Sequence, residues 1–443
     1  MKEQMDKNKN ANLDLEVHHV TRVEGHGNIY VNVKKGVVEK CEWAIPEAPR
    51  FFESMVVGRS WNELHHITSR ICGICSIGHT LASLKDTEAA MGIQISDQDL
   101  KLRKIALHAE NMQSHVLHLA FLILPDLAGV GSVIPLASSN PKEVKTALRL
   151  HRLANEMSNL LCGRTTHPQR LIPGGFSKIP SLNELVLLRK KLTDSVPDLL
   201  AIAELFKSLA HNLPNFTRET EYIGLTDPNE YALYDGKIES SDTGSAPVNE
   251  YLAFTNEYIV PISTAKRAKH ARESYMVGAL ARFNLSSKKL SPLAAKTAEM
   301  FNLKAPCYNP FMNSIAQLVE TVHSVEDTIR LINELEAAGL QSQPDYNKPE
   351  IKIKAGHGIG AVEVPRGILF HDYTYNEKGI CTKANCIIPT NQNHGNIELD
   401  MKALLPQILN KTEKEIELEL EMLVRAYDPC VSCSTHLLKV NFK

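Results

Sequence analysis

The sequence predicts a mainly α protein of the α+β class, a large helical bundle with a small mixed β-sheet built from the N- and C-terminal regions. Three observations lead there. Apolar residues recur at helical spacing through most of the chain. Strand-like alternation is confined to two stretches, one near each end. No strand–helix alternation, internal repeat or low-complexity linker divides the 443 residues, which read as a single domain, 1–443.

The elements follow in chain order. Residues 1–14, opening on MKEQMDKNKN, are polar, lack the apolar stretch of a signal peptide, and read as a frayed tail. GNIYVNVKKGVVEKCEWAI alternates apolar and polar residues around a Lys-Gly turn, predicting a β-hairpin over 27–45. Residues 96–124 predict a long helix that stops before Pro125. Further helices are expected near 60–69, 79–91, 141–162, 183–211, 260–283, 290–303 and 310–338. EIKIKAGHGIGAVEVPRGILFHDYTY supplies a second strand region over 350–375. A last helix opens on a T-x-x-E capping box, Thr412 and Glu415. Its apolar stripe is Ile416, Leu420, Leu423 and Val424, and it runs directly into YDPCVSCSTH. GHGIGAVEV lacks the third glycine of G-x-G-x-x-G and leads into a strand, so it is not a dinucleotide-binding turn.

Net charge is −2 and the pI about 6.8, which suggest neither a nucleic-acid footprint nor a polybasic membrane surface. No apolar run reaches the roughly 20 residues that span a bilayer. The nine cysteines are too sparse for a secreted disulfide scaffold. Cys41, Cys162 and Cys307 read as small core residues, and Cys381 and Cys386 as structural.

The other four form two CxxC pairs, Cys72/Cys75 and Cys430/Cys433. Four thiolates can build a tetrahedral metal site. The pairs stand 355 residues apart (430 − 75), whereas a local zinc ribbon spaces its pairs by about 15–20. Closing so long a loop adds only a few kcal/mol, because the entropy cost grows as the logarithm of length. The expected picture is a metal centre buried between the first and last thirds of the chain. On the residues alone, a zinc site, a simple iron–sulfur site and a redox-active metal all stay open.

Each pair is preceded by a charged residue, Arg70 or Asp428, and followed by a histidine, His79 or His436. RICGICSIGH and DPCVSCSTH resemble the two cysteine motifs of nickel–iron hydrogenase large subunits. TRVEGHGNI, PRFFESMVVGR, SHVLH, GRTTHP with PGGF, EVPRGILFHDY and NCIIPTNQN resemble further family motifs, in the family's order and over nearly the whole chain.

The resemblance implies a nickel held by four thiolates, Cys72 and Cys430 terminal, with Cys75 and Cys433 bridging to an iron that carries carbon monoxide and two cyanides. Soft thiolates suit late, soft metals. It implies reversible heterolytic cleavage of dihydrogen, with the Cys430 thiolate as the base. Arg366 would overhang the open coordination position and Asp428 would orient it. Glu24 would be the first proton relay beyond Cys430; without the resemblance it reads as a surface carboxylate. His79 would hydrogen-bond near a cysteine sulfur, Thr390 would donate to an iron cyanide, and Val364 and Pro365 would line the apolar pocket. Glu53 and His436, with the backbone carbonyl of Cys386, match the ligands of a magnesium or iron ion. His26, His115, His118 and His167 read as structural.

Two departures and the short length point to the soluble, multisubunit, bidirectional branch of the family. Ser114 stands where an aspartate often precedes HxxH, and TNQN lacks the tryptophan usual in uptake enzymes. That branch passes electrons to NAD(P), a deazaflavin, ferredoxin or a heterodisulfide-reductase-type module, and implies a cytoplasmic location. No further cysteine constellation offers an electron relay. The implied obligate partner is therefore an iron–sulfur small subunit, docking near the N-terminal motif and the first CxxC over about 2,000 Å² or more. Further electron-transfer subunits, a maturation protease and nickel chaperones are implied with it. Cleavage after His436 would release only LLKVNFK, or the chain matures uncut. The alternatives are a regulatory dihydrogen sensor with the same site, and a non-catalytic subunit like that of the respiratory NADH dehydrogenase complex, which lacks the cysteines.

Overall fold

Apolar periodicity becomes the helical body: Ser76–Met91, Asp97–Leu117, Pro141–Cys162, Leu182–Leu209 and Asn313–Ala338. The computed structural model describes residues 11–435. Asp97–Leu117 is the hub. Its buried Leu102, Ile105, Ala106, Ala109 and Met112 pack it between Pro141–Cys162 and Asn313–Ala338. Local signals set the ends. Ser96 caps the hub through Asp99, Leu182–Leu209 opens on a Ser181/Glu184 capping box, and Pro141–Cys162 stops at Gly163, φ 76°. The Thr412/Glu415 box opens Glu413–Ala426 as expected.

Strands differ more from expectation. The hairpin forms as Asn28–Lys34 and Val37–Ala44, but Leu13–Val17 adds a third antiparallel strand, so the expected tail is ordered from there. The reason is burial: Leu15 and Val17 are core residues. The sheet expected from both chain ends is divided. Gly356–Val364, Gly367–Tyr375 and Cys381–Ile387 form a separate antiparallel sheet. A four-stranded mixed sheet, Tyr275–Met276, Glu221–Thr226, Lys237–Ser240 and Gly244–Ala246, was not foreseen.

Two helix expectations also change, and one helix was not expected. The 96–124 helix does not stop before Pro125. Its α-helical part ends at Leu117, His118–Ile123 widens into a π-helix, and Leu124–Leu127 places Pro125 in a first turn, where no N–H is needed. In the widened turn the His118 ring meets the Gln317 side chain and the Arg425 carbonyl. Residues 260–283 are helical only in Ala279–Ser286; Arg267–Lys269 and Tyr275–Met276 are strands. Buried Arg267 holds Glu398 at 2.6 Å, a long-range ion pair that outweighs local propensity. Pro389–Ile408 is a helix the periodicity did not mark, its Pro389 sitting in the first turn.

The GHGIG stretch is a packing device. Gly356, Gly358 and Gly360 alternate along one face of their strand. A Cβ on each would strike, in turn, the carbonyl oxygens of Ala90, Asp86 and Ala82, four residues apart on Ser76–Met91. Strand and helix therefore touch backbone to backbone. This contact fixes the N-terminus of that helix, with its CxxC, beside the Val364–Gly367 turn.

Candidate metal centre

Cys72 lies in extended backbone and Cys75 is the N-cap residue of Ser76–Met91. The Cys75 amide donates to Cys72 Sγ at 2.9 Å. At the other end, helix Glu413–Ala426 hands the chain through Tyr427 to Asp428, whose φ of 50° turns it left-handed. Cys430 then forms a parallel bridge with Glu24, and the turn Ser432–Ser434 brings Cys433 round. Val431 N donates to the Glu24 carbonyl at 2.9 Å, and the Arg50 guanidinium donates to both the Ile71 and Ser432 carbonyls. Arg50 thus clasps the two cysteine segments, a role sequence reading missed.

The four cysteines meet in one cavity with His79, Val364, Arg366, Ile388, Pro389 and Thr390. All four are buried. Cys72 Sγ lies 3.7 Å from Cys430 Sγ. The sulfurs of Cys72, Cys430 and Cys433 lie within 4.8 Å of one another, and Cys430 and Cys433 are paired sulfur to sulfur. Among the described residues this is the one group of three or more His, Cys, Asp or Glu side chains close enough to share a metal ion.

Arg366 Nη1 lies 3.3 Å from Cys75 Sγ, Nη2 donates to Asp428 Oδ1 at 2.7 Å, and Nε donates to the Asp428 carbonyl at 2.5 Å. Burial opposes its charge, but Asp428, Cys75 and Cys72 outweigh that, so its pKa rises and it stays a cation. Burial also opposes ionisation of Cys72; the hydrogen bond with Cys75 and the Arg366 charge outweigh it and lower the pKa. Cys75, bonded to Cys72 and buried, is pushed well above the usual thiol value.

Glu24 Oε2 lies 3.1 Å from Cys430 Sγ and accepts from Ser432 N at 3.1 Å. Thr390 Oγ1 accepts from Cys430 N at 3.2 Å. His79 lines the cavity with its Nδ1 3.1 Å from His371 Nε2. Val364 lines the cavity, but Pro365 is not among its lining residues; Ile388 and Pro389 are, and the Pro365 carbonyl accepts from Arg282 at 3.1 Å. Buried Glu53 accepts from Cys386 N at 2.8 Å, while His436 lies outside the described residues. Ser114 Oγ is 3.4 Å from Arg366 Nη1.

Sequence reading also missed Glu110. It accepts from Ile77 N at 2.6 Å and Gly78 N at 3.1 Å, closing the helix N-terminus beneath the cysteines. Burial pushes its pKa well up, against the Gly78 hydrogen bond. No local pattern marks it, because its partners lie about thirty residues away.

Four buried cysteine sulfurs around a fixed cation suit a soft, thiolate-bound metal once the Cys430–Cys433 pair is reduced. The family of nickel-dependent hydrogenases matches residues 50–146 and 225–436. The chain is 31% identical to the alpha chain of sulfhydrogenase 1 of Pyrococcus furiosus over 98% of this chain and 100% of that protein. It is 30% identical to a chain of the F420-non-reducing hydrogenase of Methanothermobacter thermautotrophicus, covering 96% and 95%. Its fold matches a chain of an NAD+-reducing [NiFe]-hydrogenase in the H2-reduced state, with TM-score 0.84, 25% identity and coverage of 96% and 100%. It also matches a [NiFeSe]-hydrogenase chain from Dm. baculatum, with TM-score 0.75 at 20% identity and coverage of 96% and 100%. The cysteine geometry and these matches agree: the chain belongs to the nickel-dependent hydrogenase family, as a catalytic large subunit of the [NiFe] type.

Proposed function

We propose that this subunit splits dihydrogen heterolytically and reversibly at the four-cysteine cavity, the proton leaving through Cys430 and Glu24 and the two electrons through an iron–sulfur partner. The observation that carries this reading is the 3.1 Å approach of Glu24 Oε2 to the sulfur of Cys430, which lines the same cavity as Arg366.

Cys72, Cys75, Cys430 and Cys433 would hold nickel, with Cys75 and Cys433 shared with an iron bearing carbon monoxide and cyanide. When bound, this centre would supply the two-electron redox chemistry and the polarisation of dihydrogen. The chain does the rest. Dihydrogen is a very weak acid, so a base has to sit where it is polarised; the Cys430 sulfur supplies it. Glu24 Oε2 takes the proton from that sulfur, and the Ser432 N–H holds the carboxylate in place. The Arg366 cation offsets thiolate charge in a dry cavity, where such a charge acts strongly. Thr390 accepts from Cys430 N and keeps its own hydroxyl proton to donate toward an iron cyanide. Val364, Ile388 and Pro389 exclude water.

Glu53 beside Cys386 supports a second site for magnesium or iron, to which His436 would add its ring. An interface with an iron–sulfur small subunit fits the exposed Phe51, Met55 and Val57 just ahead of the first CxxC. A relative named as the alpha subunit of a sulfhydrogenase supports a multisubunit assembly; the soluble branch, a cytoplasmic location and an acceptor among NAD(P), a deazaflavin, ferredoxin or a heterodisulfide-reductase-type module belong to the same proposal. No helix among the described residues is long and apolar enough to cross a membrane.

The test is nickel content and dye-linked hydrogen turnover of the purified complex, wild type against Cys430→Ala. The variant is expected to lose both. Normal nickel content in it would overturn the ligand assignment.

A further inference from the structure

We infer that Arg282 is a positioning residue that sets where the Arg366 guanidinium stands over the cysteine cavity; the inference rests on the functional reading above. The VPRG turn, residues 364–367, has to present Arg366 at a fixed height over Cys75. The Val364–Gly367 pair closes the turn from the sheet side, and Asp428 holds the guanidinium at its tip. Arg282, buried in the helix Ala279–Ser286, grips the turn from behind. Its Nη1 donates to the Val364 carbonyl at 2.9 Å and its Nη2 to the Pro365 carbonyl at 3.1 Å, the two peptide groups just before Arg366.

The grip is anchored on both sides by carboxylates. Nη1 pairs with Glu363 Oε2 at 2.7 Å; Nε and Nη2 hold both oxygens of Glu320 at 2.6 Å. All three charged residues are buried. Glu320 in turn accepts from Tyr231 OH at 2.6 Å and contacts His115 Nε2 at 2.9 Å. His115 adjoins Ser114, whose hydroxyl lies 3.4 Å from Arg366 Nη1. The contacts therefore close a ring: Arg282, Glu320, His115, Ser114, Arg366, Pro365 and back to Arg282. It ties the turn to the hub helix Asp97–Leu117 and to Asn313–Ala338.

A guanidinium suits this post. It offers five N–H donors in one rigid plane, enough for two carboxylates and two carbonyls at once. A lysine keeps the charge but has three donors on one atom and cannot span them. Breaking a buried pair is costly, so the network holds one geometry.

The experiment is Arg282→Lys in the complete complex, alone and combined with Arg366→Lys, read by turnover per bound nickel and by infrared spectra of the iron-ligand stretches. Alone, Arg282→Lys is expected to lower kcat per nickel by at least about tenfold, with KM for dihydrogen little changed, because a small misplacement of a charged group is costly at a reacting centre. The infrared bands should shift or broaden. In the Arg366→Lys background the same change should cost less than about twofold more, since two residues acting through one another are not additive. Full turnover per nickel with unmoved bands, or losses that multiply in the double variant, would overturn the inference. Should Arg282→Lys fail to load metal, Glu363→Gln takes its place. It loosens the same grip, and wild-type turnover and bands in it would overturn the inference equally. Wild-type complex without iron-ligand bands would instead refute the functional reading itself.

Discussion

Arg366, which lines the four-cysteine cavity, is joined twice to Asp428: Nη2 to Oδ1 at 2.7 Å, and Nε to the Asp428 carbonyl at 2.5 Å. Gln317 Nε2 holds the other carboxylate oxygen at 3.1 Å. The last helix turn and the VPRG turn, 62 residues apart in sequence, thus fix one guanidinium from two sides.

Arg366→Lys should therefore keep the charge and lose the geometry. A lysine cannot make the double contact with Asp428 while reaching Cys75. Dye-linked turnover per nickel is expected to fall about 100-fold, the scale of losing one preorganised electrostatic group. Nickel content should stay near wild type. Undiminished turnover would remove Arg366 from the chemistry.

Glu24→Gln keeps an oxygen for the Ser432 N–H but cannot carry a proton. Turnover in both directions should fall by roughly 10²-fold or more, the range for loss of a positioned acid–base group, and Glu24→Asp should recover part of it. Exchange of deuterium between gas and water measures proton exit directly and should fall in parallel. Normal exchange in Glu24→Gln would mean that the proton leaves by another route.

Gly358→Ala tests the backbone contact between the strand Gly356–Val364 and the helix Ser76–Met91. The added methyl meets the Asp86 carbonyl, which cannot move without its helix. Overpacking of this kind costs about 1–3 kcal/mol. The expected outcome is a lower Tm by calorimetry and poorer metal loading. An unchanged Tm would show that the two elements part easily.

Three buried histidines should each withdraw stability as the pH falls. Burial, the leading cause for each, lowers His65 to about 3, His323 to about 4 and His394 to about 3. The Trp43 indole donates to His394 Nδ1 at 3.0 Å, so Nε2 carries the proton toward Ser434 at 2.9 Å, the neutral form. Unfolded, each titrates near 6.5. The folded values are the lower ones, so the unfolded chain takes up protons first as pH falls. Stability is complete above about 6.5 and is lost below it, by up to about 1.4 kcal/mol per pH unit for each histidine, until the folded values are reached. Buried carboxyls raised by burial, Asp86 and Glu110, act in the opposite sense, so the check is thermal unfolding at about pH 7.5 and pH 5 in wild type against His65→Gln and His323→Gln; a Tm drop toward pH 5 no smaller in the variants contradicts the histidine contribution.

The meeting of the two cysteine pairs was legible because each pair is a local motif. Both CxxC pairs, the capping box ahead of the second, and the hairpin over 27–45 need only neighbours in sequence. What was not legible depends on distant partners. Asn391, Gln392 and Asn393 open the helix Pro389–Ile408 as a polar run, yet all are buried. Their partners are Ser434, Ile368 and Val277. A buried polar face leaves no amphipathic stripe to read; only Pro389 in its first turn marked the start. Residues 260–283 misled for a related reason, since Arg267 is held by Glu398, 131 residues on. Of the site residues, Pro365 was placed in the cavity but serves by its carbonyl, and Glu110, Arg50 and Arg282 carried no pattern of their own.

The central claim is that Cys72, Cys75, Cys430 and Cys433 together hold a nickel–iron centre. Infrared absorption of the native complex, in the window of triple-bond stretches, tests it most directly. Bands from carbon monoxide and cyanide on iron are predicted, and they should vanish in Cys75→Ala. A fully metallated complex without such bands would contradict the account and leave a four-thiolate site of another kind.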